Sequence, residues 1–427
     1  MCLWCGSRQI IPGVDSLNIV VIGAQWGDEG KGKIVDYLSK DSSMVIRFSG
    51  GANAGHTIVH DGNTYKLHLV PSGIIYPGTR VILGSGMVID PAALFAELQE
   101  LENAGIDWQG RVLISDRAHI VLPSYRDEDV ARDAQRHVPI GTTGRGIGVA
   151  YAHKALRDSL RIADLTWDDP LQELTPEDQE FVATWRDQLL EMSVDIASFM
   201  HSRETQQQNV LLEGAQGALL DIDLGTYPYV SSGSSSSAGA LCGAGIGPSA
   251  VDHVLGVFKA YSTRVGNGPF PTEFSGEETG ELERYIREVG REYGVTTGRP
   301  RRVGYLDLVA LRYTCLTNGV SSLALTHLDV YDELTEIRAC VAYETEDQTF
   351  EHVPAHIPTL EAARPVTRKF TGWNQSIADV RKYEDLPAPA QDYIAFIEEY
   401  VGVPVSTISV GYKREQTIQR TPLWNTP

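Results

Sequence analysis

The sequence predicts an α/β protein with a mostly parallel central sheet flanked by helices. Three observations carry this. Short β-branched runs recur along the chain and read as strands buried on both faces rather than alternating. A well-punctuated helix lies between two of them. The first run feeds a Gly-rich turn and then a helical segment, so strands and helices alternate as a parallel sheet requires.

The strand-like runs are 18–23 (NIVVIG), 44–48 (MVIRF), 80–84 (RVILG), 111–115 (RVLIS), 209–212 (NVLL) and 322–326 (SLALT). Between the third and fourth, Asp90 caps a helix with Pro91 in its first turn. Leu94, Leu98 and Leu101 line one face, and Gly105 ends it. The acidic, Pro-containing stretch 164–187 reads as a surface excursion. Residues 336–343 alternate and predict an antiparallel edge. The polar, Pro-rich stretch 345–390 predicts loops and peripheral elements, and 390–401 a late amphipathic helix. Residues 231–237 (SSGSSSS) have a linker's composition. Their place between an apolar segment and the Gly-rich AGALCGAGIG fits a nucleotide-binding loop equally well.

The chain has 427 residues, 42% of them hydrophobic, enough for a large core. We expect a disordered extension over 1–17 and one large domain over 18–427. The formal net charge of −20 excludes a global basic footprint for nucleic acid, so anions must be met by local clusters of basic residues. Five scattered cysteines, an odd number without a framework, predict a reducing compartment and hence the cytoplasm. Cys2 and Cys5 form a C-x-x-C with no second pair to complete a zinc site. The start lacks a basic n-region followed by a long apolar stretch, and no apolar run is long enough for a bilayer, so neither export nor a membrane partner is expected.

The strongest chemistry lies in Ala24-Gln25-Trp26-Gly27-Asp28-Glu29-Gly30-Lys31-Gly32-Lys33, between the first strand and a helical segment. Amide groups and the dipole at a helix start favour an anion. Lys31 adds charge where β- and γ-phosphates would lie. The pattern is like that of the P-loop NTPases but departs twice: Gln25 replaces the first Gly, and Gly32 replaces the hydroxyl residue that would hold Mg²⁺. Asp28 is the substitute metal ligand, since a carboxylate so near phosphate needs a cation or a proton-transfer role.

Further constellations follow other strands. Gly50-Gly51-Ala52-Asn53-Ala54-Gly55-His56-Thr57 brings backbone and an imidazole towards the same crevice. Residues 139–148 (PIGTTGRGIG) combine hydroxyls, glycines and Arg145 as phosphate donors. Glu213-Gly214-Ala215-Gln216-Gly217 offers Gln216 to a base oxygen. Val295-Thr296-Thr297-Gly298-Arg299-Pro300-Arg301-Arg302 is the most basic run, suited to carboxylates. Thr326-His327-Leu328-Asp329 places Asp329 where a guanine-reading Asp would stand, and Ser409-Val410-Gly411-Tyr412 would flank the base.

Taken in order, these motifs resemble the adenylosuccinate synthase family from residue 19 to about 414: GAQWGDEGKGK, GGANAGHT, EGAQG with LLDIDLGTYPYVSS, and TTGRPRR. Two positions depart from the family: His327 stands where it has Lys, and Tyr412 where it has Pro. The Ser-rich loop also diverges, and 165–210 is shorter than in common bacterial members.

The resemblance implies that IMP, L-aspartate and GTP give adenylosuccinate, GDP and phosphate through 6-phosphoryl-IMP, the committed step towards AMP. It implies Asp28, Lys31, His56 and Gln216 as catalytic residues. GTP would be held by Gly27, Asp28, Glu29, Gly30, Lys31, Gly32, Gly55, His56, Thr57, His327, Asp329, Ser409 and Gly411. IMP would meet Asp28, Asn53, Thr143, Arg157, Gln216, Ser231 and Arg299. Aspartate would meet Thr296, Thr297, Arg299 and Arg301. One Mg²⁺ per subunit would be bound by Asp28 and the Gly55 carbonyl. Arg157 would reach the partner's site in a homodimer. Two other readings stand: a variant that takes GMP or dGMP or uses ATP, and a GTP-binding switch without ligase activity. The second gives Gln216 and the Arg-rich run no task.

Overall fold

The computed structural model describes residues 16–53, 55–60, 63–136, 142–202, 208–294, 298 and 300–424. The expected 1–17 extension, with Cys2 and Cys5, lies outside the described residues apart from Ser16 and Leu17.

Among the described residues, ten strands form the central sheet. In spatial order they are Thr417–Gln419, Val405–Ser409, Ser322–Thr326, His253–Lys259, Asn18–Gly23, Val210–Glu213, Met44–Arg47, Arg80–Leu83, Val112–Ser115 and Ser193–Val194. Every neighbouring pair is parallel except the first, which is antiparallel. Asn18–Gly23 lies near the middle. Its Val20 and Ile22 join the apolar cluster on one face, and Ile19 and Val21 the cluster on the other. Burial on both faces is why these strands read as unbroken apolar runs.

Runs 18–23 and 322–326 are strands over the expected bounds, and the other four differ by a residue or so at their ends. The strands His253–Lys259 and Val405–Ser409 are less plain in the sequence: Gly256 interrupts the apolar run of the first, which has polar ends, and Ser406, Thr407 and Ser409 fill most of the second. In the interior the polar residues find partners: Lys259 Nζ donates to Thr263 Oγ1 at 3.0 Å, and the Ser406 and Ser322 hydroxyls lie 2.8 Å apart. The helix Pro91–Asn103 is capped as expected, with Asp90 accepting from the Ala93 amide at 3.2 Å, and Leu94, Leu98 and Leu101 are buried.

Three expectations are corrected. The stretch 164–187 is more than a surface excursion, since it contains most of the helix Pro176–Glu191. Val182 and Leu189 bury one face of that helix, and Trp185 stacks on Phe95 with ring centroids 4.9 Å apart. The acidic residues of its outer face mask that spacing. Glu336–Glu344 is no edge either: it is central in a second sheet, parallel to Leu306–Asp307 and antiparallel to Thr349–Phe350 and Arg364–Thr371. The last of these is an eight-residue strand inside the stretch expected to be loops. Among the described residues no helix is long and apolar enough to cross a membrane.

Asp307 ties the second sheet to the helix that follows it. Buried, it accepts from the Ala310 amide at 2.9 Å, capping the helix Leu308–Asn318, and from the Tyr343 hydroxyl at 2.7 Å. Burial pushes its carboxyl up to about 6. A raised folded-state value means the folded chain holds this proton more tightly than the unfolded one. The favourable contribution is therefore complete below the ordinary value of 3.8 and is lost as pH rises through about 6. Asp307→Asn keeps the cap acceptor and the volume. Its thermal midpoint should exceed wild type near pH 8, by the equivalent of about 2–3 kcal/mol, and the gain should shrink below about pH 5. A gain independent of pH would contradict this assignment.

Candidate functional site

In a parallel sheet the loops leaving the strands' carboxyl ends share one edge, and a ligand crevice forms there. Six of them converge here: 24–30, 48–55, 214–217, 260–261, 327–329 and 410–412.

The phosphate loop is built around a buried carboxylate. Glu29 is fully buried; its Oε1 accepts from the amides of Gln25 at 3.1 Å and Gly27 at 2.8 Å, and its Oε2 lies 2.5 Å from Lys31 Nζ. Two loop amides are thus turned inwards, and Glu29 itself is closed off from the crevice, its carbonyl accepting from the Thr326 hydroxyl at 2.6 Å. Gly30, left-handed at φ 82°, turns the chain into the helix Lys31–Ser39. Gln25 replaces a glycine because its side chain laces the loop to the sheet, donating to the Tyr261 carbonyl at 3.1 Å and accepting from the Lys259 amide at 3.0 Å. The 214–217 loop lies directly against it: a Cβ on Gly217 would stand 2.2 Å from the Gln25 carbonyl oxygen. Gly27, Lys31 and Gly32 remain partly accessible, and Asp28 is exposed.

Asp28 faces the basic run. Arg301 Nε lies 2.9 Å from Asp28 Oδ2, and Arg301 Nη1 lies 2.7 Å from Glu292 Oε2. Glu292 Oε1 takes Lys259 Nζ at 2.5 Å and the Tyr261 hydroxyl at 2.6 Å. Burial alone would raise the Glu292 carboxyl, but the charge of Lys259 and the bonds from Lys259 and Tyr261 outweigh it and hold it at about 2. Thr296, Thr297 and Arg299 lie outside the described residues.

The 48–55 loop is held from beneath by Arg47, 1% exposed, which donates to the carbonyls of His68 and Gly51. From above, the Tyr151 hydroxyl accepts from the Gly50 amide at 3.0 Å and donates to the Gly86 carbonyl at 2.7 Å. A Cβ on Gly50 would lie 3.5 Å from the Gln216 side-chain oxygen, so this loop and Gln216 meet. Asn53 Oδ1 is buried with no hydrogen-bond partner among the described residues, an acceptor that a ligand would satisfy. Gly55 is exposed. His56 and Thr57 begin the strand His56–His60, and their side chains lie outside the described part.

The Ser-rich segment is no linker. Asp221, 1% exposed, accepts from the amides of Ser235 at 2.8 Å and Ser236 at 3.0 Å and from the Ser234 hydroxyl at 3.0 Å, besides the amides of Asp223 and Leu224. The segment is an ordered wall whose Ser231 amide donates to the Leu220 carbonyl at 2.8 Å. Thr143 is exposed, beside Thr142, whose hydroxyl donates to Asp129 at 2.8 Å. Arg157 ends the helix Ile147–Leu156 in left-handed geometry at φ 71° and is exposed.

On the other side, Lys33 Nζ donates to Ser409 Oγ at 2.7 Å and to the carbonyls of Gly411 at 2.7 Å and Gln416 at 2.9 Å. Burial draws Lys33 down to about 7 against the opposing charges of Asp329 and Glu415, and its three oxygen neighbours suit the ammonium form. Burial also raises Asp329. His327 is left-handed at φ 55°; burial, and then the charge of Lys259, draw it down to about 3, so its imidazole is neutral. Its ring lies edge-on to Tyr261, with centroids 5.9 Å apart. Sequence reasoning singles out none of Lys33, Lys259, Tyr261 and Glu292 as functional. Lys33 alone carries a signal, as the second lysine of the loop.

Among the described residues no three His, Cys, Asp or Glu side chains gather as a metal cage. A Mg²⁺ bound with a nucleotide needs only one or two protein oxygens, with phosphate and water supplying the rest. The exposed Asp28 carboxylate and the exposed Gly55 backbone fit that donor set.

The chain as a whole is similar to known proteins. The family model for adenylosuccinate synthetase matches residues 20–180 and 173–418. An adenylosuccinate synthetase of Gloeothece citriformis is 46% identical over 424 residues, covering 94% of this chain and 93% of its own. One from Synechocystis is 46% identical over 424 residues, covering 94% of each chain. The fully ligated adenylosuccinate synthetase of Plasmodium falciparum superposes with a TM-score of 0.87 at 37% identity, covering 94% of this chain and 99% of its own. A cyanophage S-2L succinoaminodeoxyadenylate synthetase, bound to dGMP and dATP as an energy donor, shares the fold with a TM-score of 0.64 at 20% identity over 95% of this chain and 96% of its own.

Proposed function

The chain belongs to the adenylosuccinate synthetase family, ligases that form a C–N bond in AMP biosynthesis, and from that premise we propose that it joins IMP to L-aspartate at the expense of GTP. One observation carries the reading. The exposed Asp28 carboxylate lies on the phosphate loop, paired with Arg301 of the basic run, and that loop packs against the one bearing Gln216.

Asp28 takes the N1 proton of IMP, which makes the 6-oxygen nucleophilic. Gln216 holds that oxygen as it attacks the γ-phosphorus, and GDP leaves. Loop amides, Lys31 and His56 stabilise the charge that develops. Mg²⁺, on Asp28 and the Gly55 carbonyl, would neutralise charge on the phosphates. The aspartate amine then attacks C6 and phosphate leaves, while Thr296, Thr297, Arg299 and Arg301 clamp the carboxylates. Asn53, Thr143 and Ser231 hold IMP. Asp329, His327, Ser409 and Gly411 meet the base of GTP. The exposure of Arg157 at a helix end supports a homodimer in which it reaches the partner's site. The free cysteines Cys242, Cys315 and Cys340 suit a cytoplasmic enzyme.

A second reading takes GMP or dGMP as acceptor or ATP as donor; the neutral His327, standing where the family has Lys, favours its donor half. Phosphate release with Mg²⁺, crossing IMP or GMP with GTP or ATP, with and without aspartate, decides between them. We expect release only with IMP, GTP and aspartate together. Release with GMP or with ATP moves the protein to the second reading, and release without any acceptor overturns both.

A further inference from the structure

We propose that Glu292 is a positioning residue that sets Arg301 for the amino-acid substrate and links that setting to the nucleotide side of the site. The proposal rests on the reading above and deepens it.

Glu292 is fully buried, and each of its carboxylate oxygens is committed. Oε2 takes Arg301 Nη1 at 2.7 Å; Oε1 takes Lys259 Nζ at 2.5 Å and the Tyr261 hydroxyl at 2.6 Å. Its backbone carbonyl also accepts from the Arg301 amide at 2.9 Å. One residue therefore holds Arg301 by main chain and side chain, fixing where a planar fork can aim. The guanidinium is left with a buried Nε that makes no hydrogen bond among the described residues, although Asp28 Oδ2 lies 2.9 Å away. A buried donor whose neighbouring carboxylate is poorly aligned for a hydrogen bond is costly. It suits a carboxylate that arrives with the substrate. Lys259 matters to the charge balance: two cations share one carboxylate, so a net positive charge remains beside Asp28.

The link to the nucleotide side follows from hydrogen-bond polarity. Tyr261 has one hydroxyl proton, and an ionised Glu292 can only accept it. The same hydroxyl lies 3.3 Å from His327 Nδ1, so towards His327 it can only accept. His327 then carries its proton on Nδ1 and keeps Nε2 as a bare acceptor. Glu292 thus orders a chain from His327 through Tyr261 to Arg301 and Asp28.

Two variants test this. Glu292→Gln removes the charge and can unfold the chain by leaving Lys259 and Arg301 uncompensated. Glu292→Asp keeps the charge balance but is one methylene too short to hold all three partners. Provided the melting curve is cooperative, we expect KM for aspartate to rise about tenfold or more in Glu292→Asp, the size of one charge-assisted bond, KM for GTP to rise by a smaller factor through Tyr261 and His327, and KM for IMP to stay within about twofold. An unmoved aspartate KM, or an equal rise in all three, overturns the proposal. Wild-type turnover that does not need aspartate would instead overturn the reading it rests on, and the proposal with it.

Discussion

Asp28→Asn is expected to lower turnover by about a hundred- to ten-thousandfold, the usual worth of a general base, while GDP binding measured without Mg²⁺ stays near wild type. Asparagine keeps the shape of the loop but cannot take the N1 proton of the purine. Nucleotide binding should survive, because the loop is shaped by Glu29 rather than Asp28: Glu29 holds the amides of Gln25 and Gly27. Arg301 also keeps its second anchor on Glu292. Steady-state turnover beside a direct GDP titration measures both. A loss of less than about tenfold would remove Asp28 from proton transfer.

Arg47→Met is expected to cost about 3–5 kcal/mol in chemical unfolding, the range for breaking a buried ionic group by deleting one partner. Arg47 lies under the 48–55 loop between Glu213 and Glu97, both buried, and its charge opposes the rise that burial imposes on each. Glu97 accepts from the amides of His68, Leu69 and Val70, and Glu213 from the Ser72 amide, so neither carboxylate can turn out to water without breaking backbone contacts. Methionine fills the space but leaves both acids uncompensated and the carbonyls of His68 and Gly51 without their donor. Because this loop carries Asn53, IMP affinity should fall along with stability. A loss below about 1 kcal/mol would mean that the acids are satisfied without Arg47.

The contrast between Asp28 and Glu292 shows what a sequence can disclose. Asp28 is legible because it sits among glycines and lysines at a strand end, where sterics and charge leave few other uses for it. Glu292 is one of several acids in a charged stretch, and its importance comes from Lys259, Tyr261 and Arg301, which folding brings to it. The Ser-rich segment is ambiguous for a similar reason: composition suggests a linker, and only the reach of Asp221 across fourteen or so residues makes it rigid. Strands of the central sheet are legible where both faces are apolar, as at Asn18–Gly23. They are less plain where a glycine interrupts the apolar run, as at His253–Lys259, or where a strand buries satisfied polar groups, as at Val405–Ser409. The helix Pro176–Glu191 is concealed by acids that face outwards from Val182 and Leu189.

The central claim is that the 6-oxygen of IMP leaves as part of phosphate after attacking the γ-phosphoryl group. IMP labelled with ¹⁸O at that position, turned over with GTP and aspartate, tests it directly by mass spectrometry of the released phosphate. The account predicts one labelled oxygen in each phosphate formed. Unlabelled phosphate, with the label left in the purine or lost to water, would contradict it.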